Sequence, residues 1–292
     1  MFIRLLGTAA GGGLPQWNCA CAGCTAARNG DAPQNGQFSM ALSADGEDWL
    51  LLNASPDIRQ QLLETPDLHP RSLRDSPVKA VLLTNAEIDA VAGLLTLREG
   101  HAFDLWADGS VLETLGKNSI FDVLTRVSRR NLPQGEEFQP LAGLYVTSFP
   151  VPGKPAWYLE QSGQAADDGD TIGLRIRAKD KTAFVIPACA EITDDLRARV
   201  SGADALFFDG TLWRDDEMIR AGLAQKTGAS MGHVSISGAA GVIARLHDIP
   251  LGQRVLVHIN NSNPVLRPGT PEYAQTIAAG WVVGQAGMSM TL

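Results

Sequence analysis

The sequence predicts an α/β fold, two mixed sheets with helices on their outer faces, as a single domain over residues 1–292. Three observations lead there. Short apolar runs of strand length open the chain and are joined by tight turns. Beyond residue 55 such runs alternate with helical segments. Several of them stop abruptly at polar or charged residues, which is where α/β proteins place their chemistry.

The elements follow in order. Residues 2–6, 38–43 and 48–53 read as strands, the last two joined by the turn Ala44-Asp45-Gly46-Glu47. Residues 56–64 read as a helix with Ser55 as N-cap and proline in its first turn. Residues 78–84 (Val-Lys-Ala-Val-Leu-Leu-Thr) form a buried strand, followed by a helical stretch over 88–98. Further strands are expected at 103–107, 144–151, 171–178, 182–187, 203–209, 254–259 and 281–292. Helices are expected at 110–115, 191–200, 235–246 and 271–279. The Gly/Asp-rich piece 161–170 reads as a surface loop, and no repeat or linker divides the chain.

Composition excludes several functions. With 45% hydrophobic and 19% charged residues the chain is ordinary for a globular protein. A formal charge of −8 opposes a nucleic-acid-binding face. No apolar run approaches the roughly 20 residues of a membrane span. The opening Met-Phe-Ile-Arg-Leu-Leu-Gly is too short for a signal peptide and reads as a first strand.

Cys19, Cys21 and Cys24 form a C-x-C-x-x-C cluster after the glycine-rich run Gly11-Gly12-Gly13. Thiolates this closely spaced suit a tetrahedral zinc, whose fourth ligand must come from elsewhere in the chain. A redox pair with a bystander is the alternative. Three clustered thiols and a solitary Cys189 do not resemble a secreted disulfide framework, so a reducing cytoplasm is the expected setting.

Three strand ends stand out. Residues 81–90 run from Val-Leu-Leu-Thr into Asn85, Glu87 and Asp89; residues 205–209 end in Asp209; and His258 is followed by three asparagines in five residues. Asp and His at such ends can hold a divalent metal. Taken singly, Asp209 also reads as a cap and His258 as a core histidine. His233, in a Gly-His lead toward an alanine-rich segment, is a candidate general acid or base, or a helix-terminal residue bonded to backbone.

Residues 7–19, 53–59, 93–100, 209–213 and 258–264 resemble the pyrroloquinoline quinone (PQQ) biosynthesis protein B family of the metallo-β-lactamase superfamily, and these blocks span nearly the whole chain. The resemblance implies a four-layer αβ/βα sandwich with its active site where the sheets meet. In hydrolytic members a strand ends in His-x-His-x-Asp-His and holds two metals. The matching positions here are Asn85, Glu87, Asp89 and Ala90, so Asp89 alone is kept, and alanine stands where a histidine is expected. Asp209 and His258 correspond to the later aspartate and the last histidine ligand. Lys154 follows a proline-glycine turn where another histidine would stand.

Three retained ligands are too few for the metal pair of a hydrolase but enough for one metal. The resemblance therefore implies iron held by Asp89, Asp209 and His258, with Glu87 or His233 as a further donor. Its implied activity is dioxygen-dependent oxidation of a tyrosine-containing PQQ intermediate derived from a cross-linked Glu–Tyr peptide. His233 resembles the Gly-His acid of related phosphodiesterases and would move protons, while Lys154 or Arg98 would meet substrate carboxylates. Cys19, Cys21 and Cys24 become a structural zinc loop; the phosphodiesterases' fourth zinc ligand, a histidine, corresponds to Asn261. Expected partners are the small-molecule intermediate and other PQQ biosynthesis proteins, in an oligomer or alone. The alternatives are a carrier of the quinone or its precursor toward the periplasm, and a zinc phosphodiesterase.

Overall fold

The computed structural model describes residues 1–160 and 170–292. Its strands are, in chain order, β1 (Phe2–Gly7), β2 (Ser39–Ser43), β3 (Trp49–Leu52), β4 (Val78–Leu82), β5 (Phe103–Ala107), β6 (Val127–Asn131) and β7 (Glu137–Leu141). There follow β8 (Leu144–Pro150), β9 (Ile172–Ala178), β10 (Lys181–Ile186), β11 (Ala205–Asp209), β12 (Gln253–Val257), β13 (Val282–Val283) and β14 (Ser289–Thr291). They build two seven-stranded sheets, in the orders β14-β1-β2-β3-β4-β5-β6 and β13-β12-β11-β10-β9-β8-β7. Both sheets are mixed: β3 to β6 run parallel, as do β10 to β13, and the remaining neighbours are antiparallel.

The layering follows from the period-2 alternation of strand side chains. In β11, Ala205 and Phe207 face one apolar cluster while Leu206 and Phe208 face another. Ala183 and Val185 of β10, Val255 and Val257 of β12, and Ala80 and Leu82 of β4 join the cluster of Phe207, which fills the space between the sheets. Phe184, Ile186 and Leu256 turn to the helical layer that includes Leu196 and Val242. Val81 and Leu105 turn to the opposite helical layer with Ile58, Leu94 and Val111. Strands buried on both faces explain the near-continuous apolar runs in the sequence. The result is the four-layer sandwich.

Several boundaries differ from expectation, each for a local reason. Ser55 does not cap the helix Ile58–Glu64; its hydroxyl donates to Gln61 Oε1, and Asp57 occupies the cap position. The stretch 88–98 is a four-residue α-turn, Ile88–Val91, that tightens into a 3-10 helix, Ala92–Arg98. The helix expected from 235 begins only at Val242, because Ser235 bridges to Leu212 and Gly238 has φ +89°. The helix expected from 191 starts at Asp194, where Thr193 Oγ1 accepts the Leu196 N–H.

The strand expected over 281–292 is two strands in different sheets, broken at Gly284 and Gly287. A Cβ on Gly284 would sit 2.5 Å from the Leu256 carbonyl oxygen, so glycine is required where the chain leaves the second sheet. Strands β6 and β7, and the helix Ala22–Asn29 that contains Cys24, went unread in the sequence. Apart from Asp170, the expected loop 161–170 lies outside the described residues.

Candidate metal centre and cysteine cluster

Strand ends from both sheets deliver the site. Asp209 ends β11, His258 follows β12, and Asp89 sits in the turn of helix that follows β4. His258 has φ +55°, a left-handed conformation rare for a residue with a Cβ, which costs of order 1–3 kcal/mol. Hydrogen bonds on either side hold that backbone: Gly210 N–H to Val257 O at 2.8 Å, Ile259 N–H to Thr8 O at 2.8 Å and Asn260 N–H to Thr211 O at 3.0 Å. The strain turns the imidazole away from the path of the strand and into the seam between the sheets.

Asp209 is fully buried and receives four donors. Oδ1 accepts the Thr211 N–H at 2.9 Å and the Thr211 hydroxyl at 2.7 Å; Oδ2 accepts the Cys189 N–H at 2.9 Å and lies 2.7 Å from His233 Nδ1. His233 and His258 stack with ring centroids 5.2 Å apart. Ligand atoms of Asp209, His233 and His258 all lie within 4.8 Å of one another. His258 Nε2 reaches Asp89 Oδ2 at 3.0 Å.

Charge follows geometry here. Burial would raise the Asp89 carboxyl, but the hydrogen bond and charge of His258 outweigh it and hold it below the usual range. Burial would lower His258, and the Asp89 hydrogen bond and charge, with Asp209 and Glu87, instead raise it. Glu87 is pushed up by burial and then by the Asp89 charge.

A cavity of about 350 Å³ opens above these residues. Asp89, His233, His258 and Thr211 line its floor; Trp157, Met218 and Met231 supply apolar wall; Lys154, Lys226 and Glu87 supply charge. Lys154 Nζ stands 3.9 Å from Glu87 Oε1, which also accepts the Trp157 N–H at 3.0 Å. The structure thus brings together Asp89, Asp209, His233, His258 and Lys154. Arg98 is not part of the cavity wall: it is exposed at the end of its 3-10 helix, bonded to Leu95 O and beside Glu99. Thr211, Trp157 and Lys226 went unread in the sequence. Only Thr211 carried a signal, as the third residue of an Asp-Gly-Thr run at a strand end.

Position 90 is filled differently from a ligand. Ala90 is 3% exposed and packs with Leu83, Val91 and Leu94, while its carbonyl accepts the Ala54 N–H at 2.7 Å. This side of the site belongs to the apolar layer.

The second cluster lies next door. The sulfurs of Cys19, Cys21 and Cys24 all lie within 4.8 Å of one another. Asn261 closes the group: its Nδ2 is 3.1 Å from Cys24 Sγ and 3.8 Å from Cys21 Sγ, and its carbonyl accepts the Cys21 thiol at 3.4 Å. The Gln16 and Cys24 N–H groups point at Cys24 Sγ and Cys21 Sγ. A Cβ on Gly23 would fall 2.2 Å from the Asn261 carbonyl oxygen, so this contact requires glycine. Burial, then the neighbouring thiols, push Cys21 up to about 11, while N–H and thiol donors outweigh burial at Cys19 and lower it. Three sulfurs this close together, ringed by amide donors, suit a soft metal.

Residues 48–259 match the β-lactamase superfamily domain. Coenzyme PQQ synthesis protein B from Methylobacterium radiotolerans is 51% identical over 300 residues, covering 100% of both chains, and that from Rhodopseudomonas palustris is 51% identical over 307 residues with the same coverage. This chain belongs to the coenzyme PQQ synthesis protein B family. A solved PqqB, the Zn(2+)-bound protein from Methylobacterium extorquens, superposes with a TM-score of 0.97 at 50% identity over 100% of both chains. A diphosphatase of the PhnP family, at 18% identity and TM-score 0.72 over 100% of this chain and 97% of its own, shares the fold. This chain thus carries the metallo-β-lactamase sandwich, and of the hydrolases' first motif it keeps Asp89.

Proposed function

We propose that this chain serves PQQ biosynthesis as an iron-dependent oxidase or hydroxylase acting on a tyrosine-containing precursor derived from a cross-linked Glu–Tyr peptide. The observation that carries the reading is the convergence of His233, His258 and Asp89 at the floor of an amphipathic cavity, with the buried Asp209 behind His233. The full-length relatives that bear the PQQ name support the pathway.

The donors fit one metal. Nitrogen and oxygen ligands drawn from Asp89, Asp209, His233 and His258 match the two-histidine-one-carboxylate pattern of non-haem iron sites. Iron, when bound, would supply the electron and dioxygen chemistry. Ala90, buried in the apolar layer, offers nothing to a second ion, which argues against a two-metal phosphodiesterase. Zinc suits Cys19, Cys21 and Cys24, where it would pin the glycine loop beside the cavity.

The chain's own residues set up the rest. Trp157, Met218 and Met231 exclude water from the precursor's ring, and Lys154 offers a cation for one of its carboxylates. Where Asp89, Asp209 and His258 hold the iron, His233 on the cavity floor is left to move protons. Among the described residues no helix is long and apolar enough to cross a membrane. Clustered free thiols suit a reducing compartment, and we place the chain in the cytoplasm.

The loss of a ligand at Ala90 also favours a second reading, a carrier that binds the quinone or its precursor without turnover. Protein purified without oxygen separates them. Iron retained beside zinc, with oxygen uptake when the precursor is added, upholds the oxidase. Zinc alone, with tight quinone binding and no oxygen uptake, overturns it in favour of the carrier.

A further inference from the structure

Asn260 lines the cavity two residues beyond His258, and its neighbours fix which way round its amide sits. Its backbone is pinned at both ends, the N–H to Thr211 O at 3.0 Å and the carbonyl to the Asn263 N–H at 2.9 Å. Its Nδ2 lies 2.6 Å from Ser262 Oγ and 3.1 Å from Met218 Sδ. Ser262 Oγ in turn donates to Glu217 Oε1 at 2.5 Å, while Glu217 Oε2 accepts the Trp213 N–H at 2.7 Å. A thioether accepts and never donates, so the atom beside Met218 Sδ is the amide nitrogen. Glu217 gives the same answer independently. Burial raises its carboxyl, opposed by the Ser262 hydroxyl and the N–H groups of Trp213 and Arg214. At 2.5 Å the Ser262 contact has the length of a hydroxyl on an ionised carboxylate. The Ser262 proton is therefore spent on Glu217, and Oγ accepts from Asn260.

With both Nδ2 protons committed, Asn260 Oδ1 is left over. Among the described residues no donor reaches it, and it is not enclosed, so it is open to the cavity. We propose that Asn260 Oδ1 is the acceptor that recognises a ring hydroxyl of the ligand, with Glu217 and Ser262 as positioning residues that set its polarity. A cationic donor in the same cavity goes to Asp89 or Glu87, whose charged bonds are roughly twice as strong; the neutral amide is left for a neutral O–H. Met218, bonded to the same amide, gives the ring an apolar wall to lie on. The hydroxyl's being a phenol rests on the reading of a tyrosine-containing precursor; the polarity of the amide does not.

Full-length wild type, Asn260→Leu and Glu217→Gln test this with the dipeptides Glu-Tyr and Glu-(4-fluoro)Phe, since fluorine is close to a hydroxyl in size but cannot donate. Calorimetry should show wild type binding Glu-Tyr about 3–10-fold tighter, the worth of one neutral hydrogen bond, and Asn260→Leu binding the two alike. Glu217→Gln gives a second readout. The Trp213 N–H keeps the glutamine oxygen, so the glutamine nitrogen donates to Ser262, whose proton turns to Asn260 and reverses its amide. Nuclear Overhauser contacts from the Asn260 Nδ2 protons should go to the Met218 methyl in wild type and to the bound Glu-Tyr ring in Glu217→Gln. Ring contacts in wild type, an unmoved amide in Glu217→Gln, a preference that survives Asn260→Leu, or no binding of Glu-Tyr overturns the proposal. Oxygen uptake with the precursor, beside equal affinity for the two dipeptides, overturns it and leaves the oxidase standing. The preference for Glu-Tyr without oxygen uptake upholds Asn260 and overturns the oxidase.

Discussion

His258 Nε2 meets Asp89 Oδ2 at 3.0 Å across 169 residues of sequence, joining the end of β12 to the helical turn after β4. The contact therefore ties the two sheets together at the place where the cavity opens. Replacing Asp89 by Asn leaves His258 without its anion. The variant should lose up to about 3 kcal/mol, the low end for breaking a buried pair, since His258 can shed its proton. Urea denaturation of the metal-free protein measures this; an unchanged midpoint and slope would remove the pair from any account of stability.

The pH dependence of metal-free stability follows from the same pair, one group at a time. The raised His258 contributes stability that is full below its ordinary value of about 6.5 and is lost as pH rises through its higher folded value. The depressed Asp89 contributes stability that is full above about 3.9 and is lost as pH falls through its lower folded value. A cation must displace the His258 proton, so metal affinity at this site should rise with pH by up to about tenfold per unit until His258 is neutral. Competition titrations across a pH series read the slope. A flat profile contradicts His258 as ligand.

Cys24 is fully buried with its sulfur facing the Asn261 amide and the Gln16 N–H. Cys24→Ser should abolish zinc at the cysteine cluster and lower the melting temperature, because metal binding at a structural site is folding free energy. Asn261→Ala should weaken zinc retention less, since the three sulfurs remain. Zinc analysis after dialysis against chelator ranks the two. Equal zinc in Cys24→Ser and wild type refutes the site.

Gly93 controls how the segment bearing Asp89 packs. A Cβ there would lie 2.1 Å from the Ser55 carbonyl oxygen and 2.6 Å from that of Ala54. Gly93→Ala forces the 3-10 helix off the end of β3 and should cost about 1–3 kcal/mol as overpacking. It should also weaken metal binding, because Asp89 moves with the same turn. Thermal melts with and without metal check both effects together.

Lys154 and Arg98 should separate cleanly. Lys154→Met removes a cavity-lining cation and should weaken binding of a carboxylate-bearing precursor by about 1.5–3 kcal/mol, the worth of a charged hydrogen bond. Arg98→Ala, outside the cavity wall, should leave binding unchanged. Fluorescence of Trp157, which lines the cavity and is 54% exposed, offers a direct titration signal. Equal loss in both variants contradicts the placement of the cation.

Much of the sandwich was legible because its inner strands are apolar on both faces; Val78–Leu82 and Ala205–Asp209 could be read from their side chains alone. Strand Val127–Asn131 could not. It is an edge strand whose residues Ser128, Arg129, Arg130 and Asn131 are exposed, so it has no hydrophobic period to betray it. The helix Ala22–Asn29 was masked by cysteines and alanines that signalled metal more loudly than helix. Asp89, Asp209 and His258 were legible as polar ends of apolar runs. Thr211 was not, because a hydroxyl between two imidazoles is a tertiary fact: Gly228–His233 and Val257–His258 approach it from separate loops. Arg98 is the reverse case, a charge in one of the quoted motifs that stands exposed at the end of its 3-10 helix, outside the cavity lining.

The division of the last apolar segment between β13 and β14 has a consequence for biogenesis. β14 pairs with β1, with Thr291 opposite Phe2, so one edge of the first sheet is closed by residues that leave the ribosome almost 290 positions apart. Pairings this distant make folding slow and leave strand edges bare until residues 289–291 have been made. During that interval β1 must wait with its outer edge unpaired, a natural client surface for chaperones and the point at which truncated chains should aggregate first.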